Sequence, residues 1–166
     1  MGIVTRVLDA RQIPQGSGIW IKCLRRYLLF VLAANLVWET LHLPLYTIWF
    51  EDSPGAIAFA VVHCTGGDLL IALSSVMLAL ILIGNGGWPL TRFGPVALLT
   101  VLFGVTYTIF SEWLNIVVRK SWAYSEYMPV IPVIDAGLSP VAQWIVIPAV
   151  GLWWSRRTVI VQGTEP

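Results

Sequence analysis

Four long apolar stretches follow one another along the chain, separated by short segments rich in polar residues, glycine and proline. They run from about residue 27 to 49, 57 to 83, 95 to 118 and 138 to 155. A helix that crosses a membrane needs about 20 mostly apolar residues. The pattern therefore predicts an all-α fold: a polytopic membrane protein whose single domain, residues 1–166, is a four-transmembrane-helix bundle.

Prolines refine the predicted helices. Leu138-Ser139-Pro140 combines a capping serine with a proline in the first turn, which is typical of a helix start. Pro44 and Pro148 lie inside the first and fourth apolar stretches. Because proline lacks the N–H that a helix interior uses, both are predicted to kink their helices.

The segment 119–137, between the third and fourth stretches, has an unusual composition. It contains Ser-Trp-Ala-Tyr-Ser-Glu-Tyr-Met-Pro-Val-Ile-Pro, starting at Ser121. This is too aromatic for a solvated linker and too rich in proline for a span. We expect it to lie as a cover over one mouth of the bundle.

The composition supports a membrane protein. Hydrophobic residues make up 57% of the chain, charged residues only 11%, and the mean hydropathy is +0.78. A soluble domain of this length carries roughly twice that share of charge. The net charge of +1 and the lack of a basic patch argue against a nucleic-acid partner. The expected partners are membrane lipids, an apolar small molecule, and either a membrane complex or a second copy of the chain.

Basic residues predict the orientation. Eight of the ten fall before the first stretch, between the second and third, or after the fourth: Arg6, Arg11, Lys22, Arg25, Arg26, Arg92, Arg156 and Arg157. Since cytoplasmic loops are enriched in Lys and Arg, both termini are predicted to be cytoplasmic. Segment 119–137 then faces outward. The expected location is the inner (plasma) membrane of a bacterium.

Ionisable residues inside the apolar stretches indicate a functional site. They are Glu39, His42, His63, Asp68 and Glu112, and no Lys or Arg lies in those stretches to neutralise them. An ionisable group at bilayer depth costs several kcal/mol, about 3 on insertion scales, and is usually functional. At a rise of about 1.5 Å per residue, His42, His63 and Glu112 all lie roughly 9–10 Å below the outer surface.

The helical faces agree with the depths. Asn35, Glu39, His42 and Tyr46 follow one another at i, i+4, i+7 and i+11, which is one face of the first helix. Glu112 and Asn115 end a similar face on the third helix, and Asp68 belongs to a face of the second. His63 is turned away from Asp68 by about 140° on an ideal helix, although the Gly66-Gly67 pair offers a way to loosen the helix there.

The candidate catalytic residues are therefore Glu39, His42, His63 and Glu112. The candidate supporting residues are Asn35, Tyr46, Asp68, Asn115, Trp122 and Tyr124. Carboxyl and imidazole groups in an apolar pocket suit acid/base chemistry on an apolar, lipid- or isoprenoid-like molecule that enters from the bilayer.

Three alternatives stay open. Imidazole and carboxylate are also common ligands of zinc, iron and copper, so a single transition metal at Glu39, His42, His63 and Glu112 is the second hypothesis. A haem between His42 and His63 is a third. In the fourth, the polar residues only join helices within an accessory subunit of a larger membrane complex.

The layout also resembles that of the EXPERA group of four-helix membrane proteins, which includes sterol isomerases. The resemblance rests on Glu39 and His42 in the first helix, on Tyr107-Thr-Ile-Phe-Ser-Glu112 in the third, and on Gln143-Trp144 and Pro148 in the last. It covers about residues 27 to 155. The resemblance implies a cavity for a sterol-like or isoprenoid lipid, with acid/base isomerisation as one activity.

Overall fold

The computed structural model describes residues 17–162. The chain forms, in order, α1 (Ser17–His42), a 3₁₀ turn (Leu43–Leu45), α2 (Ile48–Glu51), α3 (Pro54–Ile83), α4 (Phe93–Trp113), a π-helical turn (Leu114–Val118), two short strands, β1 (Val130–Ile131) and β2 (Ala136–Gly137), and α5 (Leu138–Gln162). Arg6 and Arg11, which contribute to the predicted orientation, lie outside the described residues.

The first helix is shifted towards the N-terminus relative to the prediction. It begins at Ser17 because Lys22 and Arg25 are good helix formers, although their charges mark the edge of the apolar stretch. It ends at His42, and Pro44 lies in the 3₁₀ turn that follows. A helix that continued through Pro44 would lack one backbone hydrogen bond and clash with the preceding turn. The predicted kink at Pro44 is therefore wrong, because the proline ends the helix.

The second and third long helices lie close to their predicted bounds. The start of α3 is capped by Ser53, whose hydroxyl oxygen accepts a 3.3 Å hydrogen bond from the backbone N–H of Ala56, and Pro54 occupies the first turn. The third apolar stretch becomes α4 plus the π-helical turn, which together end at Val118 as predicted. In the last helix, Pro148 lies in the interior.

The four long helices form a closed ring. α1 packs against α3 and α5, and α4 packs against the same two helices. Half of the bundle is a dry core of Cys23, Tyr27, Val31, Ala72, Val76, Ala79, Trp88, Val96, Trp144, Ile147 and Leu152. The ring of Trp144 lies directly on Gly104 of α4, where any added Cβ would overlap it. The close α4–α5 contact therefore depends on glycine at this position.

Segment 119–137 packs on the other end of the bundle, here named the loop end. The backbone N–H of Thr47 donates to the carbonyl oxygen of Ala123 at 3.0 Å, and the N–H of Ser125 donates to that of Leu45 at 2.9 Å. The Ser125 hydroxyl donates to the carbonyl oxygen of Pro44, and Met128 is buried. These contacts join the segment to the chain after α1, and it covers the bundle end as its composition predicts.

Three helices within residues 17–162 are long and apolar enough to cross a membrane: Gly18–Leu45, Pro54–Ile83 and Phe93–Val118. They indicate an integral membrane protein. The fourth predicted span corresponds to α5, which has a comparable length but is less apolar, since its first half contains Gln143 and Pro148. The structure thus confirms an all-helical bundle with three candidate spans.

Candidate functional site

One face of α1 supplies the first polar side chains of the site. Asn35, Glu39 and His42 are each at least nine-tenths buried. Their spacing of four and three residues places them one above the other on the helix, as predicted. This face meets the start of α5, where Ser139 and Gln143 are also spaced by four residues.

Gln143 joins three helices. Its Nε2 lies 2.9 Å from Asn35 Oδ1, 2.9 Å from Glu39 Oε1 and 3.1 Å from Asp68 Oδ2. A side-chain amide carries only two hydrogens, so it cannot donate fully to three acceptors. The three oxygens therefore compete for two hydrogens, and one of them receives none from Gln143 at any moment. Glu39 and Asp68 flank the same amide, and because two carboxylates this close disfavour double ionisation, the pair shares a proton.

His42 links Glu39 to α5. Its Nε2 lies 3.2 Å from Glu39 Oε2 and its Nδ1 lies 3.0 Å from Ser139 Oγ. The indole N–H of Trp38 donates to the same hydroxyl oxygen at 3.2 Å. Both ring nitrogens of His42 are thus occupied by neighbours, which leaves neither free to contact a bound molecule in this arrangement.

Glu112 is held by two tyrosines at the loop end. Its Oε2 accepts hydrogen bonds from the hydroxyls of Tyr124 at 2.6 Å and Tyr46 at 3.2 Å. The Tyr124 hydroxyl in turn accepts the backbone N–H of Gly137 at 2.7 Å. Burial and the hydrogen bond to Glu112 raise the pKa of Tyr124 above its usual range, so it stays a neutral donor. Glu112 Oε1 receives no hydrogen bond from the described residues and remains available.

The structure does not bring His63 into this network. Its side chain is exposed, and its ring stacks on Phe59 with the ring centroids 5.5 Å apart. The Gly66-Gly67 pair lies within an unbroken α3, so the helix does not loosen to turn His63 inward. Asp68, the neighbour on the opposite face, is buried and bonded instead. His63 thus lines the same cavity as Glu39 and His42 but has no hydrogen bond to the network among the described residues.

The remaining supporting residues lie around the loop end. Asn115 is buried and its amide donates to the carbonyl and hydroxyl oxygens of Ser111, within α4 and the following turn. Trp122 is partly buried, and its indole N–H is enclosed without a hydrogen-bond partner. Both side chains line the cavity described next.

A cavity of about 790 Å³ lies between the network and the helices α3 and α4. Its polar lining includes Glu39, His42, His63, Asp68, Glu112, Asn115, Arg119 and Gln143. Its apolar lining includes Leu70, Leu78, Phe103, Tyr107 and Phe110. Leu70 and Leu78 of α3 and Tyr107 and Phe110 of α4 are also exposed on the outside of the bundle, at 43–66%. The cavity therefore has exposed apolar lining residues on α3 and α4, on the surface that a bilayer would contact.

Glycine shapes the cavity wall on α3. Gly67 lines the cavity, and a Cβ added there would meet no atom within 4 Å. The adjacent Gly66 is equally unobstructed but lies on the exposed side of the helix and is not part of the lining. A large side chain introduced at Gly67 would therefore fill the cavity, whereas the same side chain at Gly66 would leave it open.

The geometry does not support a metal centre. In the part of the chain that the structure describes, no group of three or more His, Cys, Asp or Glu side chains is arranged to hold a metal ion. The His63 ring stacks on Phe59 and both ring nitrogens of His42 contact Glu39 or Ser139, so the two histidines are not arranged here as a pair of axial ligands for a haem.

Sequence reasoning did not place Gln143, Ser139 or Trp38 in the site. None of the three is ionisable, so their burial in an apolar stretch gives a weaker signal than a carboxylate does. A signal was nevertheless present, because Gln143 is a strongly polar side chain in the second turn of a long apolar helix and Ser139 lies one turn before it.

Comparisons of the chain with known protein families, with curated proteins and with solved structures give no match. The resemblance to the EXPERA group consequently stays a prediction. The case for a function rests on the site.

Proposed function

We propose that this protein is a small integral membrane protein that takes an apolar, lipid- or isoprenoid-like molecule from the bilayer into its cavity and exchanges protons with it. The observation that carries the proposal is the cavity itself, apolar where it opens and polar at its inner wall. Small-molecule sites typically have volumes of about 300–1,000 Å³, apolar walls and a few converging polar groups.

The position of the opening favours a ligand from the membrane. Leu70 and Phe110 lie at the rim, with 66% and 50% of their surfaces exposed, on two helices that qualify as spans. Segment 119–137 covers the loop end through its bonds to residues 45 and 47. An apolar molecule therefore has a direct path from the lipid, while water meets a covered end.

The polar wall suits acid/base chemistry. Glu39 and Asp68 share Gln143 as a neighbour, and Glu112 presents a free oxygen. A carboxyl group in such a wall takes or gives a proton without a cofactor, and positioned groups of this kind accelerate proton transfer by roughly 10²–10⁴-fold. The resemblance stated above makes sterol-like and isoprenoid lipids the first molecules to test and isomerisation the first reaction.

The same proposal includes the membrane arrangement. We place α5 as a fourth span, because its 25 residues extend roughly 37 Å and it packs between α1 and α4. Arg156 and Arg157 at its end, with Lys22, Arg25 and Arg26 near the start of α1, put both termini in the cytoplasm of a bacterial cell and segment 119–137 outside.

Reporter fusions test this topology. A reporter attached after Pro166 and one inserted between residues 53 and 55 are expected to give signals from opposite compartments, with the first one cytoplasmic. The reason is the excess of basic residues at one end of the bundle. Signals from the same compartment at both sites would contradict the four-span arrangement.

Cavity filling tests the binding function. In Gly67→Phe the new ring is expected to occupy the cavity, and since glycine is a poor helix former, the helix itself should lose no stability. We expect wild-type protein, purified in mild detergent, to retain a tightly held apolar molecule that mass spectrometry detects at near-stoichiometric amounts. Gly67→Phe should lose it.

Gly66→Phe is the matched control, because it adds the same ring one residue away on the exposed side of α3. It should retain the molecule. If the two variants and the wild-type protein carry the same set of lipids in the same amounts, the cavity is not a binding site and the proposed function is wrong.

A further inference from the structure

Four side chains form a chain of hydrogen bonds that runs from α1 to α5 and back. The indole Nε1 of Trp38 lies 3.2 Å from Ser139 Oγ, this oxygen lies 3.0 Å from His42 Nδ1, and His42 Nε2 lies 3.2 Å from Glu39 Oε2. The positions of the hydrogens in this series of hydrogen bonds follow from the number of hydrogens that each group can donate.

Trp38 sets the direction of the first bond. An indole N–H can donate a hydrogen bond but cannot accept one. Ser139 Oγ is therefore an acceptor from Trp38. The serine retains one hydroxyl hydrogen of its own, and among the described residues its hydroxyl has one other hydrogen-bond neighbour, His42 Nδ1.

Two tautomers of a neutral His42 can then be compared. With the proton on Nε2, Ser139 donates to the bare Nδ1 and His42 donates to Glu39, so every hydrogen has an acceptor. With the proton on Nδ1, His42 also donates to Ser139, which leaves the serine hydrogen without a partner. Nε2 would then be a bare lone pair facing a carboxylate. A buried unpaired polar group costs about 1–3 kcal/mol, so the first tautomer is favoured.

We infer that Ser139, oriented by Trp38, is a positioning residue that holds His42 as a neutral imidazole with its proton on Nε2. His42 then acts as a fixed donor to Glu39, and Glu39 is the base of the site. The assignment of Glu39 as base rests on the proposed function, whereas the tautomer of His42 does not.

The rest of the polar wall is consistent with an ionised Glu39. Its Oε2 accepts from His42 and its Oε1 accepts from Gln143, so both oxygens face donors. The remaining charged or titratable groups near it are Cys64 and Asp68 on α3, Glu112 on α4, and Tyr46 after α1. With Glu39 ionised, Asp68 is the group that holds the proton that the two carboxyls share. The wall thus presents a base at position 39 and an acid at position 68.

Nuclear magnetic resonance reads the tautomer directly. The chain contains only two histidines, so histidine labelled with ¹⁵N gives four ring-nitrogen signals, and His63→Asn assigns them. In wild-type protein at neutral pH we expect His42 to show a protonated Nε2 and a bare Nδ1. In Ser139→Ala the donor to Nδ1 is gone while Nε2 still donates to Glu39, so we expect the proton to stay on Nε2 and the signal of the bare Nδ1 to move downfield because it has lost its hydrogen bond. Ser139→Thr keeps the hydroxyl and should restore the wild-type signals.

His63 is an internal control, because it stacks on Phe59 away from this chain and its signals should not move in any Ser139 variant. Trp38→Phe is a second route to the same result, since it removes the N–H that orients Ser139, and it should show a smaller downfield movement of the Nδ1 signal. A wild-type His42 protonated on Nδ1, or an unchanged His42 pattern in folded Ser139→Ala, would overturn the inference.

The two proposals fail separately. If Gly67→Phe retains the bound molecule but His42 shows the expected tautomer, the proposed function is wrong and the positioning role of Ser139 stands. If Gly67→Phe loses the molecule but His42 is protonated on Nδ1, the cavity binds its ligand and Glu39 is not held as described.

Discussion

Replacing Gln143 by leucine is expected to destabilise the folded protein more than any other single change in the polar wall. The substitution removes the donor that faces Asn35, Glu39 and Asp68, and it leaves three buried acceptors with one partner fewer. Hydrogen bonds to charged groups contribute roughly 1.5–3 kcal/mol, so we expect a loss of about 3 kcal/mol in the free energy of unfolding. Tryptophan fluorescence during denaturation in detergent would measure it.

Two comparisons show whether the buried acids cause the loss. Ser155→Ala, on the same helix, removes one hydroxyl between two neutral partners and should cost no more than about 1.5 kcal/mol. Adding Glu39→Gln and Asp68→Asn to Gln143→Leu should restore part of the stability, because no buried carboxyl then remains beside position 143. Wild-type stability in Gln143→Leu alone would show that the amide is not an essential link between the helices.

Glu39→Gln and Glu112→Gln are each expected to abolish proton exchange with the bound molecule while the protein still folds. Glutamine keeps the size of glutamate and its carbonyl oxygen, which can still accept the tyrosine hydroxyls at position 112, but it does not ionise. The assay is deuterium incorporation from heavy water into the lipid that the protein carries, followed by mass spectrometry. We expect the rate to fall by at least about 100-fold in either variant.

Glu51→Gln is the matched control, because Glu51 is an exposed carboxylate on α2 outside the cavity. It should exchange like the wild-type protein. A structural role for Glu39 and Glu112 predicts the opposite pattern, with normal exchange and higher thermal stability, since no buried charge would remain. Undiminished exchange in both single variants and in the double variant would leave these carboxylates without an acid/base role.

Much of the fold follows from the apolar pattern, but the helix ends depend on local chemistry. The end of α3 was predicted correctly at residue 83, but its start was predicted three residues late, because Ser53 caps the helix and Pro54 occupies its first turn before the apolar stretch begins. The end of α1 was missed by several residues, because a hydropathy pattern continues through Pro44 whereas a helix does not. Length and apolar character predict where a membrane helix is, and proline and capping residues decide where it stops.

In the candidate site, the contacts within one helix could likewise be predicted from the sequence, and those between helices could not. Spacing along a helix brought Asn35, Glu39 and His42 together correctly, since all three share one helix and its period is fixed. The same helical period also predicted that His63 and Asp68 lie on different faces of α3, about 140° apart on an ideal helix. The partners Ser139 and Gln143 come from α5, and the rotation of one helix against another is set by packing contacts such as Gly104 with Trp144. Those contacts have no periodic signature in a single sequence.

The hydroxyl of Tyr124 has a thermodynamic consequence. This one group donates to Glu112 inside the cavity and accepts from the backbone of Gly137 in the covering segment. A molecule bound in the cavity that competes with Tyr124 for Glu112 also changes the free energy with which segment 119–137 is held on the loop end. Linkage between ligand binding in the cavity and docking of segment 119–137 is reciprocal. A change that loosens the segment must therefore alter the affinity for the ligand by the same factor. The loop end and the cavity of this small bundle are thus energetically coupled through a single phenol.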